Sequence, residues 1–216
     1  MKIAIMGAMP QEIENYALIK DTSPAWTKHQ IYIGLTGIGK VNAGKNTERT
    51  ILLEKPDVLI FTGVAGAINP SLELGDLVIG SNAIDSEMDC RSFNPELLRG
   101  EIPFSGQRVY SSDLQMIKLA QTFGIKLLNA YIATGSVFLD AEGKNYFVES
   151  TGDSLVTQIN GSPRVPDVYD MESSAILQVA NEHKVPTLLI RAISDTRNGD
   201  APEDFNRFIN DAVNFY

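Results

Sequence analysis

Short apolar runs alternate with longer amphipathic stretches along most of this chain. Lys2 to Gly7 reads as a short buried strand, ending at a Gly-Ala turn before a polar helix start near Pro10. Ile31 to Leu35 is a second strand, closed by Thr36-Gly37-Ile38-Gly39-Lys40. A helical pattern follows from about Val41 to Glu54, where Pro56-Asp57 ends it. Val58 to Phe61 is a buried strand running into Thr62-Gly63-Val64-Ala65-Gly66-Ala67, and Gly75-Asp76 starts another from Leu77 to Ile84. Leu114 to Phe123 has a helical pattern, and Tyr131 to Ala133 is a strand ending at Thr134-Gly135-Ser136-Val137-Phe138. This alternation predicts a three-layer α/β fold with a mixed, mostly parallel central sheet and helices on both faces. Ligands in such sheets bind beyond the strand carboxyl ends, where the Gly-rich and acidic segments of this chain collect. The polar stretch from Asp85 to Gln107, interrupted by Pro95 and Pro103, has the character of a lid, an interface loop or a plain surface excursion.

The densest chemistry lies between Asp170 and Asp195. Asp170-Met171-Glu172-Ser173-Ser174-Ala175 leads into an apolar helix pattern, followed by Val185-Pro186-Thr187-Leu188-Leu189-Ile190-Arg191-Ala192-Ile193-Ser194-Asp195. Counting at helical spacing puts Glu172 on the stripe shared by Ala175, Ile176 and Val179. Arg191 interrupts a run otherwise apolar enough for a central strand, and Asp195 stands at its end. A helix cap accounts for one of these acids, and Asp170 fits that role better than Glu172. A buried Arg191–Glu172 ion pair is the other structural reading. Because burying charge is costly, such a pair is more plausible as site architecture than as a source of stability.

Composition narrows the functional classes. The chain has 216 residues, 44% hydrophobic and 21% charged, as expected of one sizeable globular domain spanning residues 1–216. A formal net charge of −9 argues against a nucleic-acid partner and suits a small-molecule ligand. Cys90 is the only cysteine, and the two histidines, His29 and His183, lack ligand-like spacing, so no metal or organic cofactor is expected. The first residues lack a signal-peptide pattern and no apolar run is long enough to span a bilayer, which makes a cytoplasmic, non-membrane protein the default.

The glycine motifs are less specific. Gly37-Ile38-Gly39-Lys40 lacks the spacing of a phosphate loop, and no Gly-x-Gly-x-x-Gly follows the first strand. Gly63 and Gly66 bracket a strand end where backbone could approach a ligand, although taken alone tight turning is the better explanation. Glu12 opens a helix directly after the first strand. The helix dipole favours a carboxylate there, and a functional reading rests on its address beside a strand's carboxyl end.

In order, Ile5-Met6-Gly7-Ala8-Met9-Pro10-Gln11-Glu12, Gly37-Ile38-Gly39-Lys40-Val41, Thr62-Gly63-Val64-Ala65-Gly66, Gly75-Asp76, Asp170-Met171-Glu172 and Arg191-Ala192-Ile193-Ser194-Asp195 form a specific set. With these motifs the chain resembles the 5′-methylthioadenosine/S-adenosylhomocysteine nucleosidases of the purine nucleoside phosphorylase superfamily, over nearly its full length. Phe205-Asn206-Arg207-Phe208 is similar to the family's segment after the catalytic Asp. The resemblance implies hydrolysis of an adenosine N-glycosidic bond by a homodimer of nucleoside phosphorylase-like fold, in nucleoside catabolism and methionine salvage. It implies that Glu12 is the general base and that Asp195 protonates or hydrogen-bonds the departing adenine. It further implies ribose contacts from Met171 and Glu172, and a nucleoside-binding loop at Val64, Ala65 and Gly66, with Ala8 nearby. Phe138 and Leu139 would be the wall and backbone partner of the base, Arg191 and Ser194 would order the water and the acid, and Phe205 would line the pocket.

Two carboxylates with opposed roles suit this chemistry, since departure of the base leaves an oxocarbenium-like sugar for water to attack from the other face. Asp195 is then expected to be a desolvated acid and Glu12 an ionised base. Pro10-Gln11-Glu12 stands where phosphate-using relatives place an Arg, which favours water over phosphate as nucleophile. The chain departs from the family pattern at Ser136, where an Asp is usual, and at Asp170, where a Glu is usual. The alternatives left open are a hydrolase of another 5′-modified nucleoside such as futalosine, and a nucleoside-binding protein without turnover.

Overall fold

The computed structural model describes residues 1–19, 23–24, 26–120, 122–123 and 125–212. Its central sheet is mixed. Strand β1 (Lys2–Gly7) pairs in parallel with β2 (Gln30–Leu35) and with β3 (Val58–Ala67). On its other side β3 runs parallel to β10 (Thr187–Asp195), which is antiparallel to β4 (Leu77–Asp85). Strand β4 is parallel to β6 (Leu127–Thr134) and antiparallel to β5 (Val109–Ser111). Short β9 (Val168–Asp170) joins β6 in parallel and meets the end of β3 at Gly66 and Ala67. A separate hairpin consists of β7 (Thr157–Ile159) and β8 (Ser162–Arg164). The expected mixed, mostly parallel sheet is therefore present.

The helices are α1 (Glu14–Ile19), α2 (Lys40–Glu54), α3 (Leu114–Ala120), α4 (Ala141–Phe147), α5 (Ser173–Glu182) and α6 (Ala201–Ala212). Helix α2 stops at Lys55, whose left-handed φ of 48° lets its N–H bond to the Ile51 carbonyl just before Pro56. Helices α2 and α5 pack closely at Gly44, where an added Cβ would lie 3.9 Å from Val179 and 4.0 Å from Ala175. The inner face of α5 carries Ile176, Leu177 and Ala180, fully buried with Leu59, Phe61, Leu189 and Ile193 in one core cluster that also takes in Met6 and Ile132 of the sheet, Ala180 excepted. Removing each such aliphatic or aromatic side chain from water is worth roughly 1.5–3 kcal/mol. Among the described residues no helix is long and apolar enough to cross a membrane.

Four local expectations change. Strand β3 does not end at Phe61 but continues through both glycines to Ala67, and β6 starts before Tyr131, because β10 pairs with β3 beyond Phe61 and β4 pairs with the start of β6. Of the helix expected from Leu114 to Phe123, Leu114–Ala120 is helical, Thr122 and Phe123 are not, and Gln121 lies outside the described residues. Glu172 is not on the buried helical stripe: it precedes the first turn of α5 with φ −134°, and the buried positions of α5 begin with Ser173 and Ser174. Asp170 supplies the capping contact, accepting the Ser173 N–H at 3.2 Å, which frees the Glu172 carboxylate to point elsewhere.

Candidate active site

The carboxyl ends of β1, β3, β9 and β10 meet around a cavity of about 350 Å³. It is lined by Ala8, Glu12, Val64, Ala65, Gly66, Phe138, Leu139, Met171, Glu172, Ser194, Asp195 and Phe205, all expected from the sequence. Arg191 is the one expected contact residue outside the wall. It is fully buried behind the cavity, its guanidinium 4.0 Å over the Phe61 ring, because strand alternation turns it to the inner face of β10.

Glu12 is held by backbone donors. A short 3₁₀ turn, Pro10–Glu12, follows β1, and the Glu12 carboxylate folds back over it. Its Oε2 accepts from the N–H groups of Ala8 at 2.6 Å and Met9 at 2.9 Å, while Oε1 accepts from Val64 N–H at 3.0 Å. Burial pushes its carboxyl above the ordinary value of 4.5 and outweighs the opposing pull of Arg191 and the backbone donors. The backbone can come this close because residue 63 is Gly: a Cβ there would strike the Glu12 carboxylate and lie 2.6 Å from Arg191 Nη1.

Asp195 is aimed by a bulge. Ile193 is in register with Ala65 and Asp195 with Gly66, so Ser194 is the extra residue that turns the strand end toward the cavity. Ser194 donates its hydroxyl to Asp195 Oδ2 at 2.8 Å. The other oxygen accepts from Lys144 Nζ, which also donates to the Thr196 carbonyl at 2.9 Å. Asp195, expected to be a desolvated acid, is buried, and a cation from α4 is buried against it.

The sugar side of the cavity carries Glu172. Its Oε1 accepts from Gly39 N–H at 2.9 Å, so the loop without phosphate-loop spacing instead anchors this carboxylate. Burial, reinforced by the nearby Asp170 charge, pushes Glu172 up to about 7 despite Arg191. The ion pair expected between Arg191 and Glu172 is secondary: Arg191 Nη2 is 3.9 Å from Glu172 but 2.5 Å from Asp170 Oδ2, and it also donates to Ser173 Oγ. Arg191 Nη1 is buried with no hydrogen-bond acceptor among the described residues.

Lys144, Tyr169, Met9, Ile38 and Val137 also line the cavity, and sequence reasoning missed them. None of them carried a signal of its own in the sequence; Lys144 follows by one helical turn Asp140, which caps α4 through the Gly143 N–H. Phe138 and Phe205 meet edge to face at 5.4 Å and close the apolar side. Ser136, at the departure from the family pattern, donates to Glu87 through both its N–H and its hydroxyl. Lys40 also binds Glu87, at 2.7 Å, and Asp85, at 2.9 Å. Burial opposes charge on Glu87, but these donors outweigh it and hold the carboxyl below its ordinary value. The start of the Asp85–Gln107 stretch is thereby tied to the rim.

Comparison with known proteins bears on this geometry. Residues 2–215 match the model of the phosphorylase superfamily. The 5′-methylthioadenosine/S-adenosylhomocysteine nucleosidase of Anoxybacillus flavithermus is 34% identical over 99% of this chain and 93% of its own. The chain belongs to the 5′-methylthioadenosine/S-adenosylhomocysteine nucleosidase family. The crystal structure of the Campylobacter jejuni nucleosidase of this family is 30% identical, with a TM-score of 0.79 over 99% of this chain and 93% of that one. Futalosine hydrolase of Helicobacter pylori, 23% identical with a TM-score of 0.79 over 99% of this chain and 92% of that one, shares the fold.

Proposed function

We propose that the chain hydrolyses the N-glycosidic bond of 5′-methylthioadenosine, and of S-adenosylhomocysteine, to adenine and the 5′-thio-substituted ribose. The observation that carries this reading is that one cavity gathers Glu12, Glu172 and Asp195 from distant parts of the chain, with the Phe138–Phe205 pair beside them. Glu12, held by three backbone N–H groups, takes a proton from water, and the buried Nη1 of Arg191 provides a donor beside it. Glu172 accepts from the ribose hydroxyls. Asp195, oriented by Ser194, faces the departing base, which stacks against Phe138.

Water is the nucleophile in this reading. Phosphate would need several free donors, whereas Glu12 is an acid and Lys144 is already paired with Asp195. The protein acts as a single cytoplasmic domain in methionine salvage. It works as a homodimer, with the Asp85–Gln107 segment at the interface, where Phe93 and the 95% exposed Phe104 present apolar surface. The test is a substrate panel of methylthioadenosine, S-adenosylhomocysteine and futalosine, with the released base identified. Adenine from the first two supports the reading; hypoxanthine from futalosine alone, or binding of all three without turnover, refutes it.

A further inference from the structure

The proposed reaction gives no role to Lys144, the cationic side chain of the cavity wall. Lys144 is 1% exposed, and its Nζ has two recorded partners among the described residues, Asp195 Oδ1 and the Thr196 carbonyl. Its position is built in from both sides. Asp140 caps α4 and starts the turn that carries Lys144 inward. Gly66 leaves room below, since a Cβ there would lie 3.0 Å from Lys144 Cε, 3.2 Å from Nζ and 2.9 Å from Asp195 Oδ1. Burying a lysine and an aspartate together costs desolvation energy that a surface pair would not incur, which makes a purely stabilising role a poor explanation.

We propose that Lys144 is the positioning residue of Asp195 and the source of the proton that reaches the leaving base. This rests on the hydrolase reading above. In the resting site the transferable proton is on the Lys144 nitrogen and Asp195 is its counter-ion. As the glycosidic C–N bond breaks, its electron pair passes into the base. Lys144 Nζ passes its proton to Asp195, and Asp195 passes it on to a base nitrogen, ending as the carboxylate it began as. Glu12 removes a proton from the attacking water, whose oxygen bonds to the sugar carbon. The products are neutral adenine, the sugar, protonated Glu12 and neutral Lys144, so the total charge of the site is unchanged. Transfer of the Glu12 proton through solvent to Lys144 resets it. The charged groups around Lys144 are Asp195 from β10, Asp140 and Glu142 beside and on its own helix, and Glu12, Asp170 and Glu172 on the cavity wall. Arg197, after β10, is bonded to Asn145.

The experiment compares wild type, Lys144→Met and Lys144→Arg on methylthioadenosine and on 4-nitrophenyl 5-methylthioribofuranoside, whose leaving group departs as a stable anion. With Lys144→Met, adenine release at pH 8 should fall about a hundredfold and recover as the pH is lowered and solvent supplies the proton that residue 144 no longer carries. Nitrophenolate release should stay near the wild-type rate, which also shows the pocket intact. Lys144→Arg keeps a cation that does not surrender its proton and should fail to restore adenine release at pH 8. A Lys144→Met pH profile of wild-type shape, equal losses on both substrates, or full rescue by arginine would each overturn the proposal. Absence of adenine release by the wild type would instead overturn the hydrolase reading, and this inference with it.

Discussion

Replacing Glu172 by glutamine should stabilise the protein at pH 8 and leave its stability unchanged at pH 4. Glu172 is 6% exposed, and burial with the Asp170 charge lifts its carboxyl from 4.5 to about 7 in the folded protein. A folded-state value above the unfolded one means that the folded protein binds the proton more tightly. The associated stability is fully present below pH 4.5 and is lost as pH rises to about 7. That interval corresponds to about 3 kcal/mol. Glutamine keeps a carbonyl oxygen for the Gly39 N–H but never ionises, so the variant should gain roughly 2–3 kcal/mol over wild type at pH 8. For a chain of this length the gain is about 4–12 °C in melting temperature. Urea unfolding of both proteins at pH 4 and pH 8 measures it directly. A gain of the same size at both pH values, or a loss at pH 8, would refute the argument that a desolvated charge is maintained there for function. The same variant should bind substrate more weakly, because the ribose loses its ionic acceptor.

Four further outcomes follow from the site. Glu12→Gln and Asp195→Asn should each lower kcat about 10²–10⁴-fold with little change in the far-ultraviolet circular dichroism spectrum, and near-normal adenine release by either removes that residue from the mechanism. Burial raises the Glu12 carboxyl, so the acid limb of kcat/KM should lie above 4.5, with activity falling as pH drops through it; an acid limb at or below 4.5 contradicts the assignment. Gly63→Ala places a Cβ 2.6 Å from Arg191 Nη1 and against the Glu12 carboxylate, and should depress kcat more than it depresses the urea midpoint. Arg191→Met leaves Asp170 buried without its cation and should cost about 3–5 kcal/mol in urea unfolding; a loss below 1 kcal/mol would mean that Asp170 finds another partner.

Periodicity located the strands that carry the site well, because β1, β3 and β10 are apolar runs bounded by Gly, Pro or acids, and their ends are where the ligand edge lies. It failed at Glu172, because spacing counts on from the last helical residue without sensing where a cap takes over. Asp170 accepts the Ser173 N–H, so the helix starts one residue later than a stripe through Glu172 requires. It also misjudged the partner of Arg191, since Asp170 and Glu172 stand two residues apart and sequence cannot say which of them faces β10. Lys144 was invisible for a different reason. Its pairing with Asp195 spans 51 residues, and an isolated lysine on a short polar helix looks like any solvated residue until the sheet brings Gly66 beneath it.

The nucleophile is the most direct test of the central claim, that Glu12 activates water against the sugar while the base departs on the side of Asp195. Turnover of methylthioadenosine in ¹⁸O-water containing excess inorganic phosphate, with the products analysed by mass spectrometry, should place one ¹⁸O on the anomeric carbon of methylthioribose and none in adenine. A methylthioribose 1-phosphate product, or turnover that requires phosphate, would contradict it.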